Sequence, residues 1–190
     1  MQQKTVDISK TYTLDEYIKM DETGPERHEF YNGKLIPMPG ESILHNDICL
    51  HLYTLLKQAL KNKRYRINVE SVKVNIEGEK KYVYPDIAIF HEQPERDLPY
   101  KDYIIYQPIL IAEILSDSTR KYDSTDKFIL YQKISSLRYY LLVEPEKHLV
   151  IFYEKDDTGN WLSKPFTELN EVISLPLFDA QFSLADIYQQ

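Results

Sequence analysis

Two carboxylates stand in this chain where apolar strands should exclude them. The stretch "VYPDIAIF" (Val83 to Phe90) places Asp86 directly after Pro85, and "PILIAEILSDST" places Glu113 inside a second apolar run. In an extended strand, residues 84, 86, 88 and 90 share one face, so Asp86 is expected in line with Tyr84, Ala88 and Phe90. Glu113 would likewise share its face with Ile109, Ile111 and Leu115. An ionised carboxylate among such neighbours is stable only when it is paired, hydrogen-bonded or bound to a cation. If the two strands are adjacent, the carboxylates come within a few ångströms of each other.

Close carboxylates share either a proton or a cation. Paired hard oxygen donors suit Mg²⁺, which takes one or two carboxylates and completes its shell with water and phosphate oxygens. The plainer reading is that Asp86 caps a loop and Glu113 pairs with a lysine at a strand end. Two such intrusions in one chain favour the cation, because buried unpaired acids are rare. Paired carboxylates also serve glycoside hydrolysis, but a single tryptophan, Trp161, is a poor start for a carbohydrate site.

Composition narrows the setting. A chain of 190 residues can bury roughly 70 % of its unfolded surface in one core, so residues 1–190 read as a single domain. With 16 Tyr, 7 Phe and only 5 Gly, the sequence is that of a folded chain. One cysteine, Cys49, excludes an intramolecular disulfide and a cysteine-based zinc cluster, and fits a reducing, cytoplasmic setting. No apolar run approaches the roughly 18 residues of a membrane span, so no membrane partner is expected. The net charge of −7 argues mildly against non-specific nucleic-acid binding, although Lys57, Lys61, Lys63, Arg64 and Arg66 form a local basic cluster.

The elements that must position the two acids follow from local pattern. Thr13 with Glu16 three residues on reads as a capping box opening a short helix. Asn32-Gly33 is a hairpin signal between "RHEFY" and "KLIPM". From Ser42 to Lys61, apolar residues at 48, 52, 55, 56, 59 and 60 follow helical spacing, with Cys49 on the apolar side. The run "YRINVESVKVNIE" alternates but changes phase near Glu70-Ser71, which predicts a bulge. "KKYVYPDIAIF" and "QPILIAEIL" read as central strands covered on both faces. A helix is predicted over Asp123 to Ile134, then strands "LRYYLLVE" and "HLVIFYEK", then a small β extension ending in the helix "SLADIY". The order indicates an α+β fold, a mixed sheet flanked by helices, with an N-terminal hairpin and a C-terminal β extension.

The segments "ERHEFYNGKLIPM", "LHNDICLHLYTLL", "YPDIAIF", "PILIAEILSDST", "YDSTDKFILYQK" and "LRYYLLVE" together resemble the Uma2 (DUF820) family, a group abundant in cyanobacteria that belongs to the PD-(D/E)XK, restriction endonuclease-like superfamily. The resemblance spans nearly the whole chain. It implies a metal-dependent endonuclease cutting DNA, with RNA the alternative substrate, and Mg²⁺ or Mn²⁺ as cofactor. Asp86 and Glu113 would hold the metal together with the backbone carbonyl of Ile114. The superfamily pattern places a lysine two residues after the second acid, where this chain has Leu115. In the Uma2 pattern the lysine moves to the following helix, and Lys127 is the matching position. Lys133 is its competitor, and Lys121 falls in the loop. Glu29 could supply the acid that some superfamily members carry before the PD strand, although it could equally pair with Arg27. His45 opens the long helix and could reach the same cleft, with Asn46 beside it. Ser116 and Ser118 would shape the turn after the strand of Glu113. Cleavage of both strands of a duplex would call for a homodimer. The missing lysine at 115 and the net acidity favour the alternative of a binding or regulatory module that keeps the fold without turnover.

Overall fold

The computed structural model describes residues 10–24, 26–38, 40–76, 80–92, 103–116, 120 and 126–189. Helix α1 (Leu14–Thr23) begins with the expected capping box, in which Thr13 Oγ1 accepts from the Glu16 amide at 3.2 Å and Glu16 Oε2 accepts from the Thr13 amide at 2.8 Å. A hairpin follows, β1 (His28–Tyr31) and β2 (Lys34–Pro37), turned by Asn32 and Gly33 at φ 47° and 92°. That left-handed pair is why Asn-Gly is chosen here. A Cβ on Gly33 would stand 2.5 Å from a Thr11 methyl, so the position also needs the missing side chain.

Helix α2 (Ile43–Ala59) is capped by Ser42 and buries Ile48, Cys49, Leu52 and Leu56. Each such aliphatic side chain contributes about 1.5–3 kcal/mol on burial. Four strands then run as one long, bent hairpin. Its first arm is β3 (Tyr65–Val69) and β4 (Lys73–Asn75), and its second is β5 (Lys81–Val83) and β6 (Ile87–His91). The inner ends β4 and β5 pair antiparallel with each other, and the outer ends β3 and β6 do the same. The two halves belong to different sheets. A five-stranded sheet has the order β2-β1-β5-β4-β7, where β7 (Ile104–Ile105) lies parallel to β4. A six-stranded sheet has the order β11-β10-β9-β8-β6-β3, with β8 (Pro108–Ile114), β9 (Tyr139–Glu144), β10 (Leu149–Lys155) and β11 (Trp161–Phe166). Strand β8 pairs antiparallel with β6 and parallel with β9, so this sheet is mixed.

One expectation is corrected here. "VYPDIAIF" is not a single strand with residues 84, 86, 88 and 90 on one face, because the chain leaves the first sheet after Val83 and enters the second at Ile87. Proline at 85 suits that crossover, since it offers no ladder donor. The phase change read at Glu70-Ser71 is the matching bend in the other arm, and Glu70 takes φ 51° there. The single mixed sheet of the expectation is thus divided into two larger sheets and a small ribbon.

The six-stranded sheet is covered on both faces. On one side lie α2, the ribbon β12 (Val172–Leu175) and β13 (Ala180–Ser183), a 3-10 turn at Pro176–Phe178, and α4 (Leu184–Ile187). On the other side α3 (Phe128–Tyr131) and residues of β4, β5 and β7 pack against Ala88, Ile111, Tyr140 and Leu142. Of the helix expected over Asp123 to Ile134, the described residues form a wider π-type turn at 126–127 followed by one α-turn, Phe128–Tyr131. Ser118, Lys121 and Asp123 lie outside the described residues. Among the described residues, no helix is long and apolar enough to cross a membrane.

Candidate active site

The crossover at Tyr84-Pro85-Asp86 leaves backbone groups without ladder partners, and three polar side chains and one backbone amide supply them. The Tyr84 amide donates to Glu29 Oε1 of β1 at 3.1 Å, and the Tyr84 carbonyl accepts from Lys127 Nζ at 3.2 Å. The Asp86 amide donates to Glu113 Oε2 of β8 at 3.3 Å, while the Asp86 carbonyl accepts from the Glu70 amide at 2.9 Å. The register Ile87↔Ala112 between antiparallel β6 and β8 sets Asp86 across from Glu113. In return, Asp86 Oδ2 accepts from the Ile114 amide at 2.7 Å. The two acids are therefore locked across one strand end, Glu113 holding the amide of Asp86 and Asp86 the amide of Ile114.

Lys127, at the start of α3, is 6 % exposed and stands between two buried carboxylates. Its Nζ is 2.9 Å from Glu113 Oε1 and 3.5 Å from Glu29 Oε1. Tyr131, one turn later, donates its hydroxyl to Glu113 Oε1 at 2.7 Å. Burial, and then the charge of Glu113, push the Tyr131 hydroxyl well above the usual phenol range, so it remains a donor. Lys133 is exposed in the turn after α3. Glu29 faces Lys127 rather than Arg27, whose guanidinium donates to the Glu70 carbonyl at 3.1 Å.

On the opposite flank of Asp86 stands His45, in the first turn of α2 and 2 % exposed. Its Nε2 lies 3.3 Å from Asp86 Oδ2 and 4.0 Å from Glu41 Oε2. Burial alone would lower the imidazole's pKa, but the hydrogen bond to Asp86 and the charges of Asp86, Glu41 and Glu70 outweigh it and raise the value. Nδ1 of the same ring has no hydrogen-bond partner among the described residues. Cys49, one helical turn on, is buried, and its thiol is pushed up by burial and by the charge of Asp86, so it stays protonated.

The structure thus brings Asp86, Glu113, Ile114, Lys127, Glu29 and His45 to one crossover. It also adds Glu70, which sequence reasoning missed. The signal was present, because the phase change at Glu70-Ser71 marked the bend; what it could not reveal is that the bend lies beside Asp86. Among the described residues, donor atoms of His45, Glu70 and Asp86 all lie within 4.8 Å of one another, a grouping that could hold a metal ion. Glu26, Arg27, Glu41, Ser42, Glu70 and Asp86 line part of a cleft of about 600 Å³ that opens this flank to solvent. The named charges in that cleft are four acids and one arginine. The basic cluster at the far end of α2 is about 25 Å away along the helix axis, at 1.5 Å per residue.

A family model, Uma2, described as "Putative restriction endonuclease", matches residues 14–186. Two uncharacterized proteins of Synechocystis are similar to this chain. One is 32% identical over 157 residues, covering 83% of this chain and 88% of its own. The other is 31% identical over 175 residues, covering 92% and 90%. A solved structure from Anabaena variabilis, a "putative nuclease" of DUF820, superposes with a TM-score of 0.74 at 22% identity, covering 93% of this chain and 97% of that one. At that identity the likeness establishes the fold, an α+β architecture shared with the DUF820 protein.

Proposed function

The chain belongs to the Uma2 family, and from that membership and the geometry of the crossover we propose that it is a divalent-metal-dependent endonuclease hydrolysing phosphodiester bonds in DNA. The observation that carries the reading is the packing of Asp86, Glu113 and Lys127 around one strand crossover, with the lysine 2.9 Å from Glu113. The donor set fits a divalent cation, because the hard carboxylates of Asp86 and Glu113 lie across from each other where β6 pairs with β8, and the cleft beside Asp86 carries four acids against one arginine. A polyanionic backbone could not approach those acids without added positive charge.

Asp86 and Glu113, with the carbonyl of Ile114, are the residues we assign to the cation. When bound there, a divalent cation supplies Lewis-acid neutralisation of the phosphate and lowers the pKa of a coordinated water. The remaining work falls to the chain itself. Glu113 and Glu29 hold the Lys127 ammonium in a fixed direction, so that it can orient the attacking water and offset charge building on the phosphate. Tyr131 keeps Glu113 in its rotamer by donating to Oε1. Burial of Lys127 and Glu113 keeps bulk water from screening that charge.

The test is plasmid nicking with and without Mg²⁺ or Mn²⁺. The wild type should convert supercoiled to relaxed or linear DNA only with metal, and Asp86→Asn should lower the rate by about 10²–10³-fold. Equal rates for the two proteins would remove Asp86 from the chemistry. A binding module without turnover is the competing reading, favoured by Leu115 where the superfamily pattern has lysine. It predicts metal-independent DNA retention with no strand breaks at any protein concentration.

A further inference from the structure

Positive charge is concentrated at one end of the long helix. Between Lys57 and Asn68 the sequence carries Lys57, Lys61, Lys63, Arg64 and Arg66 and no acid, in a chain of net charge −7. The fold keeps these residues together. After α2 the chain turns at Asn62, φ 64°, and passes directly into β3. Leu56 and Leu60 share a core with Ile67, which fastens the end of the helix to that strand. Lys57, Lys61, Arg64 and Arg66 are all exposed, and none of them forms an ion pair among the described residues. Lys63 differs, since its Nζ donates to the Phe178 carbonyl. Glu92, whose amide donates to the Arg64 carbonyl at 3.0 Å, offsets part of the charge.

The patch leads toward the crossover. Strand β3 is the edge of the six-stranded sheet, and its register with β6 runs from Arg66↔Phe90 to Val69↔Ile87. The next residue, Glu70, bonds the Asp86 carbonyl through its amide. Arg66 is therefore about 13 Å from that point along the strand, at about 3.3 Å per residue. The far end of α2 is about 25 Å from its first turn, where His45 flanks Asp86. Arg66 lies against the Phe90 ring, its guanidinium 6.0 Å from the centroid, which holds that charge on the sheet surface.

We propose that Lys57, Lys61, Arg64 and Arg66 form a docking surface for the phosphate backbone of DNA, gripping it about four to seven base pairs from the bond to be cut, at about 3.4 Å per base pair. That distance rests on the reading of the crossover as the cutting site, whereas the surface itself does not. Exposed cations without acidic partners gain affinity by releasing counterions from the phosphates they meet. The cleft beside Asp86, with four acids and one arginine, repels the same backbone. A duplex held at the patch reaches those acids at raised local concentration in spite of the repulsion. The two arginines add bidentate phosphate contacts that lysine does not make.

The experiment uses full-length protein in EDTA, so that binding is read apart from metal and cleavage. The probe is a fluorescein-labelled duplex of arbitrary sequence and about 20 base pairs, long enough to cover that reach on both sides of a cut. Anisotropy is followed from about 50 to about 200 mM salt. The triple variant Lys57→Gln/Lys61→Gln/Arg64→Gln should weaken binding by about tenfold or more at low salt, and reduce the slope of log K against log salt by about 2–3. The same change of net charge made elsewhere, in Lys34→Gln/Lys147→Gln/Lys164→Gln, should alter affinity by less than about threefold. All of these side chains are exposed, so both triples should melt with the wild type. Equal losses in the two triples, no duplex binding by the wild type at low salt, or polyglutamate held as tightly as the duplex overturns the surface. With Mg²⁺ or Mn²⁺ added, the patch triple should need about tenfold more DNA for half-maximal nicking, at an unchanged maximal rate. A wild type that binds through the patch and nicks no DNA removes the nuclease reading and leaves the surface standing. Nicking by a wild type whose DNA affinity survives in the patch triple does the reverse.

Discussion

Replacing Lys127 by methionine isolates the electrostatics of the crossover. The ammonium stands 2.9 Å from Glu113 and 3.5 Å from Glu29, with these side chains no more than 7% exposed. At an effective dielectric of about 20 those attractions are about 6 and 5 kcal/mol before desolvation is counted. Burying the three charges offsets much of that gain. Removing the lysine alone, however, strands two buried carboxylates, and such a change costs about 3–5 kcal/mol. For a chain of 190 residues, at about 2–4 °C per kcal/mol, the melting temperature of Lys127→Met should fall by about 6–20 °C in metal-free buffer. Thermal unfolding followed by circular dichroism measures that shift, and urea unfolding followed by tyrosine fluorescence gives the loss in kcal/mol. The cause is separated by a double-mutant cycle with Glu113→Gln, in which the same lysine substitution should cost at least about 2 kcal/mol less. Equal losses in both backgrounds, or a loss under about 1 kcal/mol, would refute the claim that Lys127 is anchored by Glu113.

Two further outcomes follow from buried polar pairs, one at the crossover and one between Lys73 and Asp21. Tyr131→Phe removes a buried 2.7 Å bond to a charged acceptor and should destabilise the protein by about 1.5–3 kcal/mol, read from urea midpoints. Lys73→Met should cost about 3–5 kcal/mol in the same measurement, because Lys73 pairs with Asp21 at 2.6 Å with both side chains buried; an unchanged midpoint would show that the pair is worth nothing net.

The sequence made one layer of this architecture readable and hid another. Local rules are satisfied within a few residues, so the capping box at Thr13 and Glu16, the Asn32-Gly33 turn and the amphipathic α2 were visible from pattern alone. Asp86 and Glu113 were visible because acids in apolar runs violate burial rules. Their adjacency was an inference about strand pairing, and β6 and β8 are paired as expected. The change of sheets at Tyr84-Pro85-Asp86 was not legible, since a strand and a crossover share the same apolar composition. Nor was the parallel strand β7, two residues long, below any period that could be read. Lys127 was named from family resemblance rather than from its surroundings, because a lysine at a short helix start is indistinguishable in sequence from a solvated one. Glu70 escaped for a different reason. Its phase signal was local, while its relevance depends on where the far arm of the hairpin lies.

Anomalous diffraction from a Mn²⁺-soaked crystal reads directly whether Asp86 anchors a divalent cation at the crossover. An anomalous peak is expected within about 2.5 Å of an Asp86 carboxylate oxygen, lost in crystals of Asp86→Asn. A saturating soak that leaves Asp86 without a peak would contradict it.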